Sequence, residues 1–268
     1  MAYEARNRRA MPWRAPPLRV RVDRSVNPYA IVVSEIMLQQ TQVPRVMEKY
    51  PLFVKRFPNF ASLARAPFSA VLASWSGLGY NRRALFLKRL GEAIIREHRG
   101  QVPRDPKVLE TLPGIGRATA GSICAFAFDM PVAFIETNVR RVFIHFFFPR
   151  KKRVRDEELM PLVARACPKQ GARDWYYALM DYGSYLSKRI ENPNRNSARY
   201  VKQKRFAGSQ RELRGMIVKM LLARKRISVI GIANATKQPV ARVRRVVASL
   251  EHDRMARRVG QLVSLLSS

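Results

Sequence analysis

Leu112-Pro113-Gly114-Ile115-Gly116-Arg117-Ala118-Thr119-Ala120 is the stretch on which the reading of this chain turns. Helical periodicity flanks it, at 105–111 and 117–128. Two glycines one residue apart let the backbone turn sharply and bring amide N–H groups to the surface. Those amides open the next helix, whose dipole adds to their attraction for an anion. The stretch reads as the hairpin of a helix-hairpin-helix, with Gly114, Gly116, Arg117 and Thr119 as its phosphate-facing residues. Such a hairpin grips a DNA phosphate without reading sequence. A lone Gly-x-Gly also makes a plain turn between helices. The Leu-Pro opening, the flanking helices and the charge of the chain favour the phosphate.

That charge is large. The 268 residues carry 51 Lys and Arg against 19 Asp and Glu, a formal +32. Such an excess repels itself unless a polyanion is near, and phosphate neutralisation with counterion release makes duplex DNA the expected partner. A ribosome-associated or salt-tolerant surface is the alternative. Cys124–Val142, the most apolar stretch, is interrupted by Asp129, Pro131 and Glu136, so no membrane partner is expected. The basic N-terminus lacks an apolar segment before a cleavage site and predicts no secretory signal. Cys124 and Cys167 are the two cysteines. They can build neither a disulfide framework nor a cysteine-rich metal site, and a reducing, cytoplasmic setting follows.

Working outward, residues 1–27 are Arg- and Pro-rich and predict an irregular surface segment. Asn27-Pro28 reads as a cap with proline at the first helical position, opening a helix to about Gln40. Further helices are predicted near 44–56, 60–65, 68–74, 80–98, 105–111, 117–128, 137–147, 156–167 and 173–187, so the first 190 residues are all-α. Residues 188–208 are a basic loop. From Ser209 the order is helix (210–223), short helix (228–235), helix (239–250) and a basic-then-apolar segment (254–266). It fits a winged helix-turn-helix, with 239–250 as the recognition helix. A helical hairpin cap is the plainer alternative.

Two further stretches carry chemistry. In Ser34-Glu35-Ile36-Met37-Leu38-Gln39-Gln40-Thr41-Gln42-Val43, Glu35 shares a helical face with Ile31, Val32 and Leu38. A carboxylate among apolar side chains has its pKa raised, as a general acid at neutral pH requires. At the edge of the stripe Glu35 would simply reach solvent. The amide-rich run after it suits a helix end that wedges into a base stack. In Val132-Ala133-Phe134-Ile135-Glu136-Thr137-Asn138-Val139-Arg140-Arg141-Val142, Glu136 precedes a helix. It is either a cap or a second carboxylate that stabilises an oxocarbenium-like sugar. His98, His145 and His252 show no ligand spacing, so no metal site is expected, and Trp13, Trp75 and Trp175 read as packing anchors with Trp13 towards the DNA side.

Order and spacing of these motifs resemble the MutY-type adenine DNA glycosylases of the helix-hairpin-helix superfamily, from Pro12-Trp13-Arg14 to Met180-Asp181-Tyr182-Gly183. The resemblance implies a two-lobed helical fold: a six-helix domain (28–137) with the hairpin, a second lobe (1–27 with 138–208), and the winged-helix-like unit (209–268). It implies a monofunctional, monomeric enzyme hydrolysing adenine from mispairs with guanine or 8-oxoguanine, at the nucleoid. Glu35 would protonate the flipped base. Glu136, oriented by Asn138, would stabilise the sugar. Gln40 and Tyr80 would form a wedge, and Thr41 and Leu78 would touch the partner base. Three departures stand out. The family has Asp at the place of Glu136. Its four cluster cysteines are replaced by Ser187, Asn194, Ser197 and Gln203, so no iron–sulfur cluster is expected. The winged unit stands where the family has another C-terminal domain. Superfamily lyases carry a lysine at the place of Ala118. A thymine or uracil mismatch glycosylase of the same fold, and a non-catalytic DNA-binding protein, are the other two readings.

Overall fold

Helices form where the periodicity puts them, because each apolar stripe finds a core and several of the starts are capped by a side chain. The computed structural model describes residues 8–14, 26–203 and 205–266; the surface segment expected at 1–27 falls mostly outside these. The helices are α1 (Pro28–Leu38), α2 (Val43–Arg56), α3 (Phe60–Arg65), α4 (Phe68–Ser74), α5 (Arg82–His98), α6 (Pro106–Glu110), α7 (Arg117–Phe128), α8 (Thr137–Phe147), α9 (Asp156–Ala166) and α10 (Ala172–Arg189). Then come a 3-10 turn (Pro193–Asn196), α11 (Gln210–Arg224), β1 (Arg226–Ser228), α12 (Val229–Thr236), α13 (Val240–His252), β2 (Ala256–Val259) and β3 (Leu262–Leu265). Asn27 Oδ1 accepts from the Tyr29 amide at 3.0 Å and caps α1 ahead of its proline. Asn59 and Ser62 form a reciprocal capping box on α3. The basic loop expected at 188–208 contains the 3-10 turn, which Asn192 caps.

By contacts the chain divides into two compact units that cut it differently from the sequence bounds at 137 and 208. The first comprises Met1–Ile36 and Val102–Lys202, the second Met37–Gln101 and Gln203–Ser268. In the first unit, Phe126, Phe134 and Tyr176 form the aromatic centre, with the Phe134 and Tyr176 rings stacked at 4.1 Å. Gly121 is required there, since a Cβ on it would fall 2.6 Å from the Phe134 Cβ.

The second unit has Phe53, Leu63, Trp75 and Leu87 at its centre. It also contains the C-terminal elements, which form a winged helix. Three antiparallel strands lie in the order β1-β3-β2, with Ile227 opposite Val263 and Arg257 opposite Ser264. At three residues, β1 is too short to leave an alternating pattern. Val243, Val246, Val247 and Leu250 of α13 face the core of this winged part. It is tied to the rest of the second unit at Asp253, which meets Arg82 at 3.4 Å and, within the winged part, Arg214 of α11 at 2.6 Å. Gln203 Nε2 and Arg211 Nη1 donate to the Tyr80 hydroxyl at 2.6 and 3.1 Å.

Candidate active site

In the first unit, α1 presents Glu35 from a helix whose Ile31, Val32, Val33, Ser34, Ile36 and Met37 are all buried. Burial pushes the Glu35 carboxyl up to about 7, the nearby Glu136 carboxylate adds to the rise, and a hydrogen bond from Ser122 together with Arg14 opposes it. Ser122 Oγ, on α7, donates to Glu35 Oε2 at 2.6 Å. Glu35 itself is half-buried beside this stripe.

Glu136 caps a helix and also meets the Asn138 side chain. Its Oε1 accepts from the amides of Asn138 and Val139 at 2.6 and 2.7 Å, capping α8. Its Oε2 accepts from Asn138 Nδ2 at 3.1 Å. Burial raises its pKa, with the two amide bonds, the Asn138 side chain and Arg140 working against the rise. The Asn138 amide has its orientation fixed from the other side: Arg141 Nη1, a pure donor, meets Asn138 Oδ1 at 2.9 Å and the Gly183 carbonyl at 2.7 Å. Asn138 therefore turns its NH2 to Glu136. Gly183 lets α10 come this close, because a Cβ there would lie 2.6 Å from the Asn138 Cβ and 2.8 Å from its carbonyl oxygen.

Asp181, two residues earlier on the same helix, has another task. It is buried and accepts from Arg14 Nη1 at 2.9 and 3.0 Å and from Arg9 Nε at 2.5 Å. Arg14 in turn lies over the Tyr177 ring, 4.2 Å from its centroid. The hairpin has the expected geometry. Gly114 is left-handed, with φ +79°; the Ile115 amide bonds the Leu112 carbonyl at 3.2 Å. Gly116 is the N-cap of α7 and brings no capping side chain, and Arg117 beside it is exposed. Ala118 is exposed on the first turn of α7.

The second unit holds the expected wedge and partner-base residues. Gln40 and Tyr80 are exposed and have positive φ, +54° and +46°. Arg83 is the post between their two segments. Buried, it donates to the Met37, Gln39 and Gly79 carbonyls at 2.7, 2.5 and 3.0 Å and to Thr41 Oγ1 at 2.8 Å. Leu78 is 2% exposed. Its side chain is core, and only its backbone is left to meet a base.

Residues 33–169, half of the chain, match the HhH-GPD superfamily of base excision DNA repair proteins. The chain belongs to this superfamily. Among its HhH-GPD relatives, an adenine DNA glycosylase of Mycobacterium tuberculosis (strain CDC 1551 / Oshkosh) is 42% identical over 142 residues, 53% of this chain and 44% of that protein. Another, from Mycolicibacterium smegmatis, is 33% identical over 234 residues, 80% of this chain and 76% of that one. The chain spans less than half the length of the first curated relatives it matches. Of solved structures, a thermostable thymine-DNA glycosylase superposes with a TM-score of 0.59 at 26% identity, over 72% of this chain and 86% of that one. A non-covalent endonuclease III–DNA complex, at 22% identity and TM-score 0.53, shares the fold.

The places that the resemblance gives to cluster cysteines carry Ser187, Asn194, Ser197 and Gln203. Ser187 Oγ donates to the Ser184 carbonyl, Asn194 Nδ2 to the Thr137 carbonyl, and Gln203 Nε2 to Tyr80. None of these side chains is a thiolate, the ligand iron–sulfur clusters use. Among the described residues no group of three or more His, Cys, Asp or Glu is placed to hold a metal ion.

Ser122, Arg141 and Arg83 were not singled out from the sequence, and Arg14, Asp181 and Gly183 appeared only as ends of the matched region. Spacing carries no signal for them, since each acts across more than 35 residues of chain or through a backbone carbonyl. Among the described residues no helix is long and apolar enough to cross a membrane.

Proposed function

We propose that this protein is a monofunctional, monomeric DNA glycosylase that hydrolyses adenine from duplex DNA where it is mispaired with guanine or 8-oxoguanine. It does so without an iron–sulfur cluster, in the cytoplasm at the nucleoid. One observation carries the reading: two half-buried carboxyls of different character lie within electrostatic reach in the first unit. Glu35 is poised near pH 7 as an acid. Glu136 is fixed by two amides and Asn138.

In the reaction, Glu35 gives its proton to a ring nitrogen of the flipped base. The C1′–N bond breaks with its electron pair going to the base. Glu136 stabilises the cationic sugar until water adds at C1′ and loses a proton. Gly114, Gly116, Arg117 and Thr119 hold a phosphate. Gln40, Thr41, the Leu78 backbone and Tyr80 contact the opened duplex. Ala118 offers no amine for a Schiff base, so the abasic strand stays intact.

The adenine DNA glycosylase relatives favour adenine as the base. The thymine-DNA glycosylase likeness keeps a G:T substrate as the second reading. The test is to incubate the protein with duplexes containing A:G, A:8-oxoguanine, G:T and G:U, then cleave abasic sites with alkali. Strand scission at the adenine-containing pairs alone is expected. Scission at G:T or G:U alone would move the substrate to a pyrimidine, and no scission on any duplex would reduce the protein to a binder.

A further inference from the structure

The winged part of the second unit has a face that the glycosylase chemistry does not use. Along α13, the buried positions Val243, Val246, Val247 and Leu250 leave Ala241, Arg244, Arg245 and Ala248 on the opposite, exposed side. At its C-terminal end, Ser249 and the capping residue Asp253 accept from Arg214 of α11 at 2.9 and 2.6 Å. Near the start of α13, Arg242 donates to the Gly208 carbonyl. Beside α13, β2 and β3 form a short hairpin that turns at Gly260, with φ +58°. Arg257 and Arg258 are exposed on its first strand. Among the described residues, none of these four arginines pairs with a carboxylate. Of the two acids nearest in sequence, Glu251 accepts from the Arg258 backbone amide at 2.9 Å, and Asp253 holds Arg214.

We propose that this face is a second duplex-DNA site, with α13 in the major groove and the β2–β3 wing against the adjacent phosphates. The major groove of B-DNA is about 12 Å wide and admits one helix. The two alanines keep the leading side of α13 low enough to approach the groove floor, and the arginines between them reach the flanking phosphates. The deep, narrow major groove of duplex RNA would exclude the helix, so the ligand is DNA. The site engages undamaged duplex and needs no target base. It stands or falls apart from the assignment of the catalytic carboxylates.

The test uses the full chain and an undamaged duplex of about 40 base pairs. Binding is followed by fluorescence anisotropy over a salt series, and protection by hydroxyl-radical footprinting. The variants are Arg244→Ser with Arg245→Ser, and Arg257→Ser with Arg258→Ser. Circular dichroism and melting establish that both are folded. Each pair is expected to weaken binding at least tenfold, to flatten the slope of log K against log salt by about 2, one phosphate contact per arginine, and to remove about one helical turn of protection at one end of the footprint. A footprint of unchanged length with an unchanged slope would overturn the proposal, as would loss of single-stranded or RNA binding with duplex DNA binding intact. Failure of all four base-release assays with the shortened footprint observed would remove the glycosylase reading and leave this site standing.

Discussion

Replacing Glu35 by glutamine should make the protein more stable at alkaline pH while abolishing base release. The folded-state pKa of Glu35 is about 7, raised from 4.5. Between these values the folded protein holds a proton that the unfolded chain has released, so stability declines as pH rises from 4.5 to 7 and stays lowered above that. The rise corresponds to about 3 kcal/mol. Glutamine has no charge to bury, and its carbonyl still accepts the Ser122 hydroxyl. The stability difference between Glu35→Gln and wild type should therefore be near zero at pH 4 and about 3 kcal/mol in favour of the variant at pH 8. In a chain of this size that is a gain of roughly 6–12 °C in Tm. Urea melts at pH 4, 5.5, 7 and 8 measure the whole curve. Single-turnover base release should fall above pH 7 in wild type and be absent in the variant, whose duplex affinity stays within about tenfold. A stability difference that does not change with pH would show that Glu35 titrates normally and would sink its assignment as the acid.

Glu136→Asp should keep the helix cap, which aspartate serves well, yet slow single-turnover base release about ten- to a hundredfold, because the carboxylate retreats by roughly a bond length. Glu136→Gln should be slower still, and wild-type rates in both would leave Glu136 only a cap. Gly183→Ala places a Cβ within 2.6 Å of Asn138 and should cost about 1–3 kcal/mol along with a loss of rate; an unchanged melt and rate would show that the helices part without consequence. Asp181→Ala strands Arg14 in the interior and should destabilise the fold by about 3–5 kcal/mol, read in the same melts. Borohydride should trap no covalent DNA adduct; efficient trapping would reveal a lysine acting in place of Ala118.

What the sequence made legible follows from range. The hairpin is local: two glycines, a proline and two amphipathic runs lie within 25 residues, so pattern and structure agree. The same holds for α1, where the Asn27-Pro28 start and the burial of Glu35 can both be read from residues one turn apart. The site beyond these is not local. Ser122 meets Glu35 across 87 positions, and Asp181 meets Arg14 across 167. A serine in a small-residue helix and an aspartate in a mixed one have no pattern of their own. Leu78 misleads in the opposite sense: its place beside Gly77 and Gly79 marks an exposed turn, yet Trp75 and Arg83 hold that turn so that the leucine points inward. β1 escaped because three residues are too few to show a period of two.

The path of the chain through the two units has a consequence for how the protein is made. Residues 37–101 leave the ribosome early, but the rest of their unit begins only at Gln203. Translation at about 5–20 residues per second keeps them waiting for at least several seconds, the time needed to make the 101 residues between. During that interval the Arg82 and Tyr80 side chains lack Asp253, Gln203 and Arg211. The first unit can close as soon as Lys202 emerges. A stop codon or protease cut between 203 and 268 would therefore release a chain with one finished unit and one half-built, and cellular quality control should find such products by their second unit.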